Sequence, residues 1–150
     1  CGQTTSDHKQ FEAALKSQVA DAGLSERIMF LGTQPSDRLP LLFAALDIYV
    51  APQRSEGFGL TPLEAMASGV PVIATTAGAF EEIVLNGETG YIVEIEDIVN
   101  MTKKLNELLS NDTKRRALAK ASTERVSQHF DIKGEAAALV KLYQDLLSKT

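Results

Sequence analysis

Four short apolar runs, Ile28-Met29-Phe30-Leu31, Ile48-Tyr49-Val50-Ala51, Val70-Pro71-Val72-Ile73-Ala74 and Tyr91-Ile92-Val93, alternate with stretches of helical spacing. A strand that is apolar along its whole length has no solvated face, so it belongs in a sheet covered on both sides. Strands joined through helices run parallel, because a parallel pair needs a long crossover. The expected architecture is therefore α/β, a doubly wound parallel sheet. The spacing predicts a helix from Phe11 through Leu15, Val19 and Ala22, with Asp7 and Gln10 as its capping pair and Gly23 as its stop. Further helices are expected over Leu39 to Leu46, Pro62 to Ser68 and Ala79 to Leu85. From Asp97 onward the chain reads as a helical tail: a face of Ile98, Met101, Leu105, Leu108 and Leu109, then Leu118 to Phe130, then Leu139 to Leu147. Asn111-Asp112 marks a break and cap within it.

Such a sheet should open on a strand, yet this chain opens on Cys1-Gly2-Gln3-Thr4-Thr5 and a helix. The first strand is expected upstream, with residues 1–150 one Rossmann-like domain and a fragment of a larger protein. The length of 150 residues and 44% hydrophobic content suit one core. A net charge of −5 argues against a chain that grips nucleic acid by neutralising phosphates. The single cysteine, Cys1, allows no intrachain disulfide or cysteine metal cluster and fits a cytoplasmic setting. Neither an apolar run long enough for a membrane span nor a signal-peptide pattern occurs in these residues. His8 and His129 stand alone, without ligand spacing, so no metal is expected. Asp47 and Tyr49 border a strand and read as structural. Lys103-Lys104 and Lys114-Arg115-Arg116 read as solvated helix faces, the other reading being contact of a full-length protein with anionic lipid at the inner face of the cell membrane.

In open parallel sheets ligands bind beyond the carboxyl ends of the strands. Pro52 to Gly59 is a loop of that kind, followed by a helix. Gly57-Phe58-Gly59 places two residues without Cβ just ahead of the helix, so that backbone N–H groups can approach an anion beside the positive end of the helix dipole. Glu56 stands where a sugar attached to that anion would present its hydroxyls, and Glu64 within reach of a ribose. Each feature has a plainer reading. Thr61-Pro62-Leu63-Glu64 also makes a helix start, with Thr61 as N-cap, Pro62 at N1 and Glu64 closing a capping box. Two glycines before a helix are also a common turn. Spacing alone leaves both readings of each open.

The stretch from Asp47 to Val84 resembles glycosyltransferase family 4. Two glutamates with seven residues between them and a glycine-rich start, Glu56 to Glu64, match the family's hallmark. The passage Ala65 to Ala74, then Gly78 with Glu82-Ile83-Val84, then Gly87-Glu88-Thr89-Gly90-Tyr91, resembles its following motifs in order. The resemblance implies the carboxyl-terminal half of a GT-B enzyme, a retaining glycosyltransferase whose other Rossmann-like domain, on the same chain, holds the acceptor. It implies Glu56 against the donor sugar in the catalytic site, Gly57, Phe58, Gly59, Leu60 and Thr61 along the sugar and diphosphate, and Glu64 on the ribose. Leu31 and Gly32 are expected near the base. The family's Arg and Lys that neutralise the diphosphate are not found before Phe11; they are expected upstream, which would leave this fragment inactive alone. The run Tyr49 to Gly69 with Thr76 to Phe80 is similar to bacterial lipopolysaccharide-core mannosyltransferases, implying GDP-mannose as donor, a carbohydrate or lipid-linked core acceptor and no metal cofactor. The rival of another class is a non-catalytic nucleotide-sugar-binding or scaffold module. A dehydrogenase-type dinucleotide fold would need a Gly-x-Gly-x-x-Gly turn that this chain lacks.

Overall fold

The structure, a computed structural model, describes residues 9–148. Cys1, the expected cap residue Asp7 and His8 lie outside them. The chain divides into two units, one ending at Leu39 and one beginning at Pro40.

In the first unit, α1 spans Lys9–Asp21 and buries none of its residues. Gly23 and Leu24 donate back to the carbonyls of Ala20 and Val19 at 2.9 and 3.0 Å, closing the helix end. Ile28 to Leu31, expected as a buried strand, is not one. It joins no ladder among the described residues, and Met29 is 80% exposed. An apolar run becomes a strand only when another strand takes up its backbone donors and acceptors, and no described segment does so here. Lys16 instead lies over the Phe30 ring, 5.5 Å from its centroid.

The second unit holds the sheet. After α2 (Leu39–Ala44) come β1 (Tyr49–Ala51), α3 (Leu60–Ala67), β2 (Val72–Thr75), α4 (Phe80–Ile83) and β3 (Gly90–Val93). The three strands are parallel, in the order β1-β2-β3, with Tyr49 opposite Val72 and Ile73 opposite Tyr91. This is the α/β, Rossmann-like arrangement that the apolar runs imply, with α3 and α4 as crossovers. All four residues of β2 are buried, which requires cover on both faces. On one face Ile73 and Tyr91 pack with Leu108 and Leu118, joined by Met101 and Leu105. Val72 and Ala74 point the other way, and α3 packs against β1 and β2.

The tail forms α5 (Ile98–Ser110), α6 (Asp112–His129) and α7 (Ile132–Leu147). Asn111 is the break the sequence suggests, its side chain accepting from Lys114 N at 2.9 Å. Both α6 and α7 begin earlier than their apolar residues indicate, because side-chain caps at Asn111 and Asp131 set the starts. The described residues include no helix long and apolar enough to cross a membrane.

The basic residues of the tail are not merely solvated. Lys104 and Lys114 both pair with Glu107, and Arg115 and Arg116 with Asp112. Arg115 also approaches Asp47 at 3.6 Å. Tyr49 packs edge-on against Phe43, the structural role expected of it.

Candidate functional site

The carboxyl end of β1 runs into the loop 52–59, and three contacts fix that loop. Thr75, at the end of β2, donates its hydroxyl to the carbonyl of Gln53 at 2.6 Å. Gly78, at φ +57°, lies so close to the loop that a Cβ there would sit 2.2 Å from the Glu56 carbonyl oxygen. Gly59, at φ +96°, is buried against α4, and a Cβ on it would come within 2.7 Å of the Phe80 ring. Both glycines are demanded by close approach as well as by backbone angle. A Cβ at Gly57, by contrast, would meet nothing within 4 Å. The two glycines that look alike in the sequence therefore differ: Gly59 serves packing, and Gly57 fronts open space.

The helix start also differs from the expected one. The N-cap is Gly59, in the left-handed region and without a side-chain cap bond, while Thr61 is already the second residue of α3. No capping box forms between Thr61 and Glu64. Once Leu60 and Thr61 take up helical angles, the cap moves two residues upstream to the one position whose φ only glycine adopts easily. Pro62 has no N–H and Leu63 donates to Gly59 O, so the amides of Leu60 and Thr61 are left as unpaired donors at the positive end of the helix. Glu64 is exposed, its carboxylate unused by the cap. Glu56, half-buried, turns back so that its Oε1 accepts from the amide of Gly57 at 2.9 Å. A carboxylate thus already occupies one amide of the loop, the place an anionic ligand would take.

The structure brings Glu56, Gly57, Phe58, Gly59, Leu60, Thr61 and Glu64 together on one loop and helix start. Leu31 and Gly32 lie in the first unit, both exposed. A cavity of about 410 Å³ opens nearby at the strand ends, lined by Pro52, Arg54, Thr75, Glu96 and Asp97, with Arg54 and Glu96 paired at 2.8 Å. No residue from Glu56 to Glu64 lines it. Gln53 Oε1 is buried without a hydrogen-bond partner. Sequence reasoning missed Thr75, whose tie to Gln53 bridges 22 positions and leaves no local signal. Among the described residues no three His, Cys, Asp or Glu side chains gather as metal ligands would.

A parallel sheet whose first strand leads through a tight loop into an open helix start is how α/β domains hold phosphorylated ligands at their strand ends. Residues 1–125 match the family described as glycosyl transferases group 1, and the chain belongs to it. It is 44% identical over 148 residues to the lipopolysaccharide core biosynthesis mannosyltransferase LpsB of Rhizobium meliloti, covering 97% of this chain and 42% of that protein. The chain thus spans about two fifths of the length of that protein and of LpcC of Rhizobium leguminosarum, another lipopolysaccharide core biosynthesis mannosyltransferase that it matches. Among solved structures it is similar to the C-terminal domain of a glycosyl transferase group 1 family protein (LpcC) from Francisella tularensis. The TM-score there is 0.80 with 39% identity, over 85% of this chain and 66% of that one. It is also similar to Anabaena Alr3699/HepE in complex with UDP, with a TM-score of 0.86 and 27% identity over 99% of this chain and 40% of that one.

Proposed function

We propose that this chain is the nucleotide-sugar-binding domain of a retaining glycosyltransferase that moves mannose from GDP-mannose to a lipopolysaccharide-core acceptor. The observation that carries the reading is Glu64: exposed on the first turns of α3 beside the open helix start and not used by the cap, its carboxylate is available to a ligand. In this reading Glu64 accepts from the ribose hydroxyls, and the free amides of Leu60 and Thr61, with the open side of Gly57, take the diphosphate. Glu56 leaves the Gly57 amide and turns to the sugar. Transfer breaks the bond between the anomeric carbon and the diphosphate and forms one to the acceptor oxygen on the same face, the acceptor's proton passing to the departing phosphate. No metal is required, since a helix start and the cationic side chains expected upstream balance the diphosphate charge. The acceptor is held by a second, N-terminal domain of the same protein, working in the cytoplasm against the inner face of the membrane. The mannosyl donor and core acceptor rest on the likeness to LpsB, and a nucleoside diphosphate ligand also on the UDP held by HepE.

The test uses the full-length protein. Glu64→Gln replaces a charged acceptor with a neutral one and should weaken GDP binding about fivefold to tenfold, with stability within ~0.5 kcal/mol of wild type. Unchanged GDP affinity with a lowered melting temperature would overturn the ribose role. A guanine pocket should favour GDP over UDP by about 5- to 30-fold. Tighter UDP binding would overturn the mannosyl donor alone. Transfer should persist in EDTA; loss on chelation with recovery on Mn²⁺ or Mg²⁺ would overturn the metal-free mechanism.

A further inference from the structure

We propose that Arg125, on α6, is a positioning residue of the donor loop, setting its shape through α4. The proposal rests on the reading of Glu56 to Glu64 as the donor site. Arg125 donates from Nε to the carbonyl of Ile83 at 2.8 Å and from Nη2 to that of Glu82 at 2.5 Å. These carbonyls end α4, where no further helical N–H can reach them, and a cation there complements the negative end of the helix. A planar fork addressing two carbonyls fixes direction as well as distance. The guanidinium is held in turn over the Phe130 ring, 5.6 Å from its centroid.

The helix so held is only four residues long, a single turn that cannot stabilise itself. Its Phe80 and Ile83 are fully buried, and they form the wall against Gly59, with Phe80 and Ile83 atoms 2.7 and 3.1 Å from where a Cβ would stand. Gly59 is where the loop turns into α3, so a shift of α4 re-aims the backbone from Gly57 to Thr61. The neighbouring residues of α6 grip the other parts of the same framework. Thr123 donates to Met66 O near the end of α3 at 3.2 Å, and Ser122 to Thr89 O ahead of β3. One stretch of α6 thereby fixes both helices that meet at Gly59, from the ends opposite the donor loop.

The experiment compares Arg125→Gln and Arg125→Lys with wild type in the full-length protein, titrating GDP and guanosine and recording melting temperatures. Misaiming the loop should weaken GDP binding about tenfold in Arg125→Gln while guanosine, held through ribose and base, binds as before. Arg125→Lys, which keeps the charge but offers one nitrogen in place of a two-nitrogen fork, should recover part of the loss. An equal loss for both ligands, or wild-type GDP affinity in the folded variants, would overturn the proposal. The Lys variant decides alone if the Gln variant unfolds. Failure of wild type to bind either GDP or UDP would instead strike the donor-site reading itself.

Discussion

At Gly59 and Gly57 the same residue type answers two different demands. Replacing Gly59 by Ala forces a side chain into the left-handed region and into the Phe80 ring, so Gly59→Ala should lower stability by about 2–4 kcal/mol. Gly57→Ala should leave stability within ~0.5 kcal/mol and yet weaken nucleoside diphosphate binding, because the added methyl stands in the open space before the amides. Thermal melts and titrations of both variants check this, and a stability loss at Gly57 matching that at Gly59 would refute the division. The sequence points to this loop and its glutamates, but it cannot say which glycine does what. The space that excludes a side chain at Gly59 is filled by Phe80, which lies in a different helix and reaches the loop only through the fold. For the same reason the local pattern Thr61 to Glu64 predicts a capping box that the folded chain does not form, and the Glu64 carboxylate stays outside the cap.

Among the elements, the three paired strands are legible in their apolar runs, although β1 and β3 are not buried throughout. Every residue of β2 is enclosed, so an uninterrupted apolar run announces it. Ile28 to Leu31 carries the same signal without a neighbouring strand, and the signal then fails, since pairing is a property of two segments. The start of α6 is legible only through Asn111-Asp112, because its first turns are charged and a side-chain cap rather than an apolar stripe begins it. That charged stretch supplies a test. Glu107 on α5 accepts from Lys114 on α6, from the Tyr91 hydroxyl on β3 at 2.7 Å and from Lys104 at 3.2 Å. The Lys114 ammonium first, and the Tyr91 hydroxyl after it, hold the Glu107 carboxyl down to about 2 from an ordinary 4.5. A carboxylate with a depressed folded-state pKa stabilises above its unfolded value, and that contribution is lost as the pH falls from 4.5 toward 2. Glu107→Gln should therefore melt lower than wild type at pH 7 and show a shallower fall across the acid window. Calorimetry at a series of pH values checks this; parallel acid limbs would rule out Glu107 as a source of acid sensitivity.

At the scale of the molecule, α6 and α7 contrast. Helix α7 buries none of its residues, whereas α6 buries Leu118 and Ser122 and reaches back to α3, α4 and the turn before β3. Ending the full-length protein after Asp131 should leave the sheet intact and resistant to protease, while ending it after Ser110 should expose the sheet to cleavage. Limited proteolysis of the two truncations measures the difference, and equal resistance would contradict the role given to α6. The hydrogen bonds of Thr123, Arg125 and Ser122 span 57, 42 and 33 positions. Synthesis runs from the amino end, so every strand is made before the helix that ties the framework shut. A ribosome delivering this chain therefore releases β1, β2 and β3 before the residues that fasten them, and the framework stays unfastened until Arg125 leaves the exit tunnel.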